Sequence, residues 1–86
     1  MRKRAKVDSN HAEVRDALVQ MGYLVLSLAA VGGGVPDLLV YQPSRKRFGL
    51  VEVKQRKGTL TPDQVKFQAD GWPVTIVRSV DDALAL

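Results

Sequence analysis

Val14, Ala17, Leu18 and Met21 recur at the spacing that gathers side chains on one side of an α-helix, which predicts a helix from about residue 8 to Gln20 or Met21. Asp8, Ser9 or Asn10 can cap its start, and Gly22 supplies its stop. Beyond Gly22 the pattern shortens. "YLVLSL" (residues 23–28), "DLLVY" (37–41) and "FGLVEVK" (48–54) are short Leu- and Val-rich runs that read as strands. Between them lie "AAVGGGVP" and "QPSRKR", whose glycines, prolines and serine mark turns. Thr61 followed by Pro62 opens a second helix that Gly71 closes, and "PVTIVRS" is a fourth strand. Ser79 then caps a short terminal helix, with Asp81 and Asp82 at the positive end of its dipole. The order α-β-β-β-α-β-α, without repeat or linker, predicts one α/β domain over residues 8–86 behind a basic tail, residues 1–7.

Composition narrows what that domain can do. Eighty-six residues, 45% of them hydrophobic, allow one modest core. There is no cysteine and only one histidine, so thiolate and histidine-rich metal sites are excluded, and any metal must be held mainly by oxygen. No run approaches the roughly 20 apolar residues of a membrane span. The basic start "MRKRAKVDSN" lacks the apolar stretch of a signal peptide behind it, so a soluble, cytoplasmic protein with no membrane partner is expected.

The formal charge is +4, unevenly spread. Arg2, Lys3, Arg4 and Lys6 crowd the N-terminus, and Arg45, Lys46, Arg47, Lys54, Arg56 and Lys57 flank the two central strands. Cations concentrated on one hairpin and one tail form an electrostatic footprint for a polyanion; a solvated face is the plainer alternative.

The acids among the apolar residues carry the sharper signal. Alternation along a strand points Glu52 and Lys54 one way and Val51 and Val53 the other. If residues 43–46 close a hairpin, Gln42 pairs with Arg47 and Asp37 faces Glu52. Facing side chains have Cβ atoms about 4.5–5.5 Å apart, where like charges repel. A hard divalent cation such as Mg2+ turns that repulsion into coordination. Glu13, about 90° from the middle of the first helix's apolar stripe, lies at the rim of the core and is a candidate further ligand. Lys54, two residues beyond Glu52, can orient a water or stabilise charge growing on a phosphoryl group. Against this stands a plain surface ion pair, although unneutralised charge among Leu and Val is expensive.

"GGGVPDLLV" followed by "GLVEVK" resembles the PD-(D/E)xK nuclease signature, and more narrowly the chain resembles the VRR-NUC (virus-type replication-repair nuclease) domain in its small stand-alone phage and prophage form. The early helix with Glu13 in "NHAEVRDAL" and the "LTPDQ" helix start belong to the same likeness, which covers roughly residues 8–80. The resemblance implies a restriction-endonuclease-like αβββαβ core with a central mixed sheet flanked by helices. It implies Asp37, Glu52 and Glu13 as metal-binding acids, the main-chain carbonyl of Val53 as another ligand, and Lys54 as the catalytic lysine. Gln64 matches a glutamine these nucleases carry after the ExK strand, while its spacing from Thr61 is also that of a capping box. The expected activity is Mg2+- or Mn2+-dependent DNA hydrolysis, with no small-molecule cofactor. By resemblance the substrate is branched DNA such as a Holliday junction and the enzyme is a homodimer, in the bacterial cytoplasm or a phage-infected host cell.

Phosphate contacts are expected from Arg45, Lys46, Arg47, Arg56, Lys57, Arg2, Lys3 and Arg4 without sequence readout. His11 reads as non-catalytic, Trp72 as packing, and Gly32, Gly33 and Gly34 as a tight turn or a place for a phosphate to approach. Trp72, residues 74–77 and the terminal helix are candidate dimer surfaces. The rival readings are a nucleic-acid-binding module without cleavage and a subunit of a replication or repair complex.

Overall fold

Val14 and Leu18, the centre of the apolar stripe, are completely buried, and they fix how the first helix lies on the sheet. The computed structural model describes residues 9–86. Asp8 and the tail residues Arg2, Lys3, Arg4 and Lys6 lie outside the described residues. The elements are α1 (Ser9–Gln20), β1 (Leu24–Ser27), β2 (Leu38–Gln42), β3 (Arg47–Val53), α2 (Pro62–Ala69), β4 (Val74–Val77) and α3 (Val80–Leu84). Their order is the expected one, with β1 and β4 two and three residues shorter than expected and β2 and β3 each shifted by one residue. Asn10 is not the cap of α1: it lies inside the helix, and its amide reaches the carbonyls just past the ends of β3 and β4.

The four strands form one mixed sheet in the order β1-β2-β3-β4. The first two pairings are antiparallel, and residues 43–46 close the β2–β3 hairpin with Gln42 opposite Arg47. The third pairing is parallel, as it must be when α2 carries the chain across between β3 and β4. Gly22 and Gly71 follow α1 and α2 with positive φ, ending each helix in the conformation glycine adopts most readily.

Strand pleating divides the sheet into two unlike faces. Leu38, Val40, Val51, Val53 and Val77 turn to one side and close a core with Val14, Leu18, Tyr23 and Ala83. α1 and α3 pack against each other over that face. At about 1.5–3 kcal/mol for each fully buried large side chain, this small cluster is the main source of stability. The other face carries Leu24, Leu26, Leu39, Tyr41, Phe48, Leu50 and Glu52. α2 reaches it at Glu52 and buries none of its own residues. Over β1 and the β2–β3 hairpin that face lies open: Leu24, Leu26 and Phe48 are 63%, 59% and 73% exposed.

Candidate functional site

The acidic site is built where the β2–β3 ladder runs out. Main-chain pairing ends at Leu38 and Val51, and the next residue back, Asp37, continues it with its side chain: Oδ2 accepts the Val53 N–H at 2.9 Å. Its own carbonyl accepts the Leu28 N–H at 2.7 Å. One further step of the same register sets Asp37 opposite Glu52, as the hairpin count predicts.

Glu52 is 3% exposed, the one buried polar or charged side chain among the described residues. Its Oε2 accepts a hydrogen bond from Gln64 Nε2 at 3.0 Å and stands 3.7 Å from Lys54 Nζ. Lys54 is itself largely buried, its side chain 15% exposed. Burial first, then the Asp37 carboxylate, push the Glu52 carboxyl from 4.5 up to about 7, against the opposing pull of the Lys54 ammonium. A buried acid beside a second acid, with one cation too weak to offset both effects, is a site short of positive charge.

Gln64 caps α2 and reaches Glu52 with the same side chain. Thr61 Oγ1 accepts the Gln64 N–H at 3.2 Å while Gln64 Oε1 accepts the Thr61 N–H at 2.9 Å, a complete capping box at the start of α2. A main-chain N–H can only donate, so the amide oxygen is fixed toward Thr61 and the amide nitrogen toward Glu52. The cap therefore orients the side chain that holds Glu52.

Glu13 is not brought to this pair. It is exposed on α1, whose buried residues pack on the face of Val51 and Val53, opposite that of Glu52. Among the described residues no three of His, Cys, Asp and Glu gather as a metal site. The helical angle locates Glu13 relative to its own stripe, but not the side of the sheet on which the helix sits. Asp37 and Glu52 are the acids that converge. Val53 enters through its N–H to Asp37. His11, half-buried on α1, takes no part in this cluster.

The basic residues divide by distance. Arg56 and Lys57 are exposed in the turn that follows Lys54. Arg45, Lys46 and Arg47 are exposed at the hairpin tip, five ladder positions from the acidic pair, or about 17 Å at a rise of ~3.4 Å per residue.

Two residues that the sequence left in other roles organise the strand ends beside the site. The Arg78 guanidinium donates from Nη1 to the Gln55 carbonyl at 2.9 Å and the Gly58 carbonyl at 2.6 Å, tying down the turn that carries Arg56 and Lys57. Asn10 Nδ2 donates to the Lys54 carbonyl at 3.0 Å and the Arg78 carbonyl at 3.3 Å. With the Lys54 N–H bonded to the Val77 carbonyl at 3.0 Å, the lysine's backbone is held from both sides. These partners lie 20 or more residues apart in sequence, so no local pattern signals them. Of the dimer surfaces expected from sequence, α3 is packed on α1 and Trp72 stacks on Phe67 with ring centroids 5.4 Å apart.

The acids, lysine and glutamine sit on a fold that other chains share. A solved VRR-NUC domain is 30% identical, superposes with a TM-score of 0.64, and the match covers 90% of this chain and 92% of that one. No curated protein matches. The VRR-NUC domain family model matches residues 5–79, which include both acids, Lys54 and Gln64. That span takes in every element but α3, and the chain belongs to the VRR-NUC family, a family of nuclease-type domains.

Proposed function

We propose that the protein is a Mg2+- or Mn2+-dependent deoxyribonuclease that hydrolyses phosphodiester bonds in branched DNA such as Holliday junctions, working as a homodimer. The observation that carries the reading is buried Glu52 paired with half-buried Asp37, with Lys54 at the edge of the pair. Two carboxylates in a site short of positive charge are hard oxygen donors that suit magnesium or manganese, with the Val53 carbonyl as a third donor. When bound, the cation supplies Lewis acidity and neutralises phosphate charge.

The chain's own groups do the rest. Gln64 fixes the orientation of Glu52, and the Asp37 carboxylate is fixed by the Val53 N–H. The Lys54 ammonium, on a backbone held from both sides, stabilises negative charge on the phosphoryl oxygens as the bond to the leaving oxygen breaks. Arg56 and Lys57 receive flanking phosphates without reading bases, which fits selection by DNA shape.

The open face of Leu24, Leu26 and Phe48, continuous with half-buried Leu39 and Tyr41, supports the dimer. It is one uncharged patch on a small basic chain. A second copy related by a two-fold axis offers the same patch in return and places a second acidic pair on the same branched substrate.

The test is cleavage of labelled four-way junction, flap, single-stranded and linear duplex DNA with magnesium, manganese or EDTA, comparing the natural chain with Lys54→Ala. Metal-dependent cutting of the branched species, lost in the variant, is expected. Binding without cutting under every metal would overturn the reading. Sedimentation of the chain and of Phe48→Asp at equal concentration reports on the dimer, with the variant expected to run as a monomer.

A further inference from the structure

The three glycines before Asp37 all have positive φ, at +74°, +66° and +84° for Gly32, Gly33 and Gly34, but their surroundings differ. A Cβ on Gly32 or Gly33 would meet nothing within 4 Å. One on Gly34 would collide with the Asp63 carbonyl oxygen and lie 2.5 Å from the carbonyl carbon and 3.0 Å from the Asp63 Cβ. Carbon atoms pack at roughly 3.5–4.0 Å, so the turn and the helix would have to separate by about an ångström.

Asp63 is the residue before Gln64. The bond from Gln64 Nε2 to Glu52 is 3.0 Å long, and a hydrogen bond stretched past roughly 3.5 Å is no longer one. α2 has no buried residue to hold it elsewhere. It meets the rest of the domain at its first turn, through Gly34 and Gln64, while the stack of Phe67 on Trp72 joins it only to its own exit. Gly34 is thus the point where the segment that delivers Asp37 touches the segment that delivers Gln64.

We propose that Gly34 is a positioning residue for the acidic site: its missing side chain lets the first turn of α2 seat against the glycine turn, and that seating sets the Gln64 amide on Glu52. Its effect on catalysis rests on the nuclease reading; its effect on Gln64 does not. The requirement is for close approach, over and above the positive φ shared with Gly33.

Asparagine tolerates positive φ and carries a Cβ, so Gly34→Asn and Gly33→Asn separate the two requirements. In metal-free protein labelled with nitrogen-15, the Gln64 side-chain amide is assigned by its loss in Gln64→Ala. Gly33→Asn is expected to leave that resonance and its hydrogen exchange unchanged. Gly34→Asn is expected to move it to the position of a solvated glutamine and speed its exchange roughly tenfold or more, with the circular dichroism spectrum retained. With active protein, kcat of Gly34→Asn should fall to that of Gln64→Ala, and the double variant should fall no further, because both remove the same interaction.

An unmoved Gln64 resonance in Gly34→Asn, or losses that multiply in the double variant, would overturn the proposal. So would failure of Gly34→Asn to fold where Gly33→Asn folds, since Gly34 would then serve the whole fold. Should the natural chain cut no DNA under any metal, the nuclease reading fails while the resonance still decides the role of Gly34.

Discussion

The two faces of the central sheet are made by the same strands, yet they obey opposite rules. On one, Val51 and Val53 join Leu38, Val40, Val77 and residues of two helices in an apolar cluster. On the other, one residue away in each strand, Glu52 is equally buried but faces Asp37, Lys54 and Gln64. Burial stabilises the first face and costs the second, because removing a carboxylate from water favours its neutral form. The fold holds its unfavourable face in place with its favourable one.

The largest effects should come from exchanging what the faces tolerate. Glu52→Gln keeps the shape and the Gln64 partner while removing the charge. It is expected to lower cleavage by about 10²–10³-fold or more, while metal-free protein at pH 8 melts no lower than the natural chain. Leu18→Ala does the reverse: it should cost about 2–5 kcal/mol in denaturant unfolding, with kcat per folded molecule unchanged. A Glu52→Gln chain that melts well below the natural one would mean that the charge stabilises the fold, and the contrast between faces would fail.

The pH dependence sharpens the same contrast. Glu52 titrates near 4.5 when unfolded and at about 7 in the folded chain, so between those values the folded state holds a proton that the unfolded state has released. Its contribution to stability is complete below about pH 4.5, falls as pH rises to about 7, and is level above. At about 1.4 kcal/mol per unit the total is a few kcal/mol at most. The difference in unfolding free energy between the natural chain and Glu52→Gln, followed from pH 4.5 to 8 in EDTA, isolates this group. A cation competes with that proton, so millimolar magnesium should raise the melting temperature more at pH 8 than at pH 5.5. Equal shifts at the two pH values would place the cation away from Glu52.

How far this was legible in the sequence depends on how local each interaction is. The Asp37–Glu52 register follows from alternation and one four-residue loop, so counting suffices. Gln64 is ambiguous in the sequence between cap and active site because the spacing from Thr61 specifies only the oxygen's partner. The nitrogen's partner, Glu52, is set by where α2 lands. The place of Glu13 is illegible for a related reason: periodicity gives an angle around the helix, whereas packing chooses the side of the sheet. Asn10 and Arg78 were unreadable, since their partners are carbonyls brought together by the β3–β4 pairing, and carbonyls leave no mark in a sequence.

The smallest expected effect concerns the two basic clusters, which a count of charges treats alike and the structure separates. Arg56 and Lys57 lie in the turn after Lys54, held by Arg78, and should meet phosphates beside the scissile bond. Replacing both with alanine should lower the slope of log binding constant against log salt by about 2 on every substrate, at roughly 0.9 per phosphate contact. Arg45, Lys46 and Arg47 sit about 17 Å away along the hairpin, roughly five base pairs at ~3.4 Å each. Alanines there should change the slope only for DNA whose arm extends at least that far from the cut. Titrating arms of three and twelve base pairs against both variants separates the clusters. If the hairpin variant weakens short arms as much as long ones, its cations contact DNA next to the acidic pair, and the hairpin must fold back over the substrate when it binds.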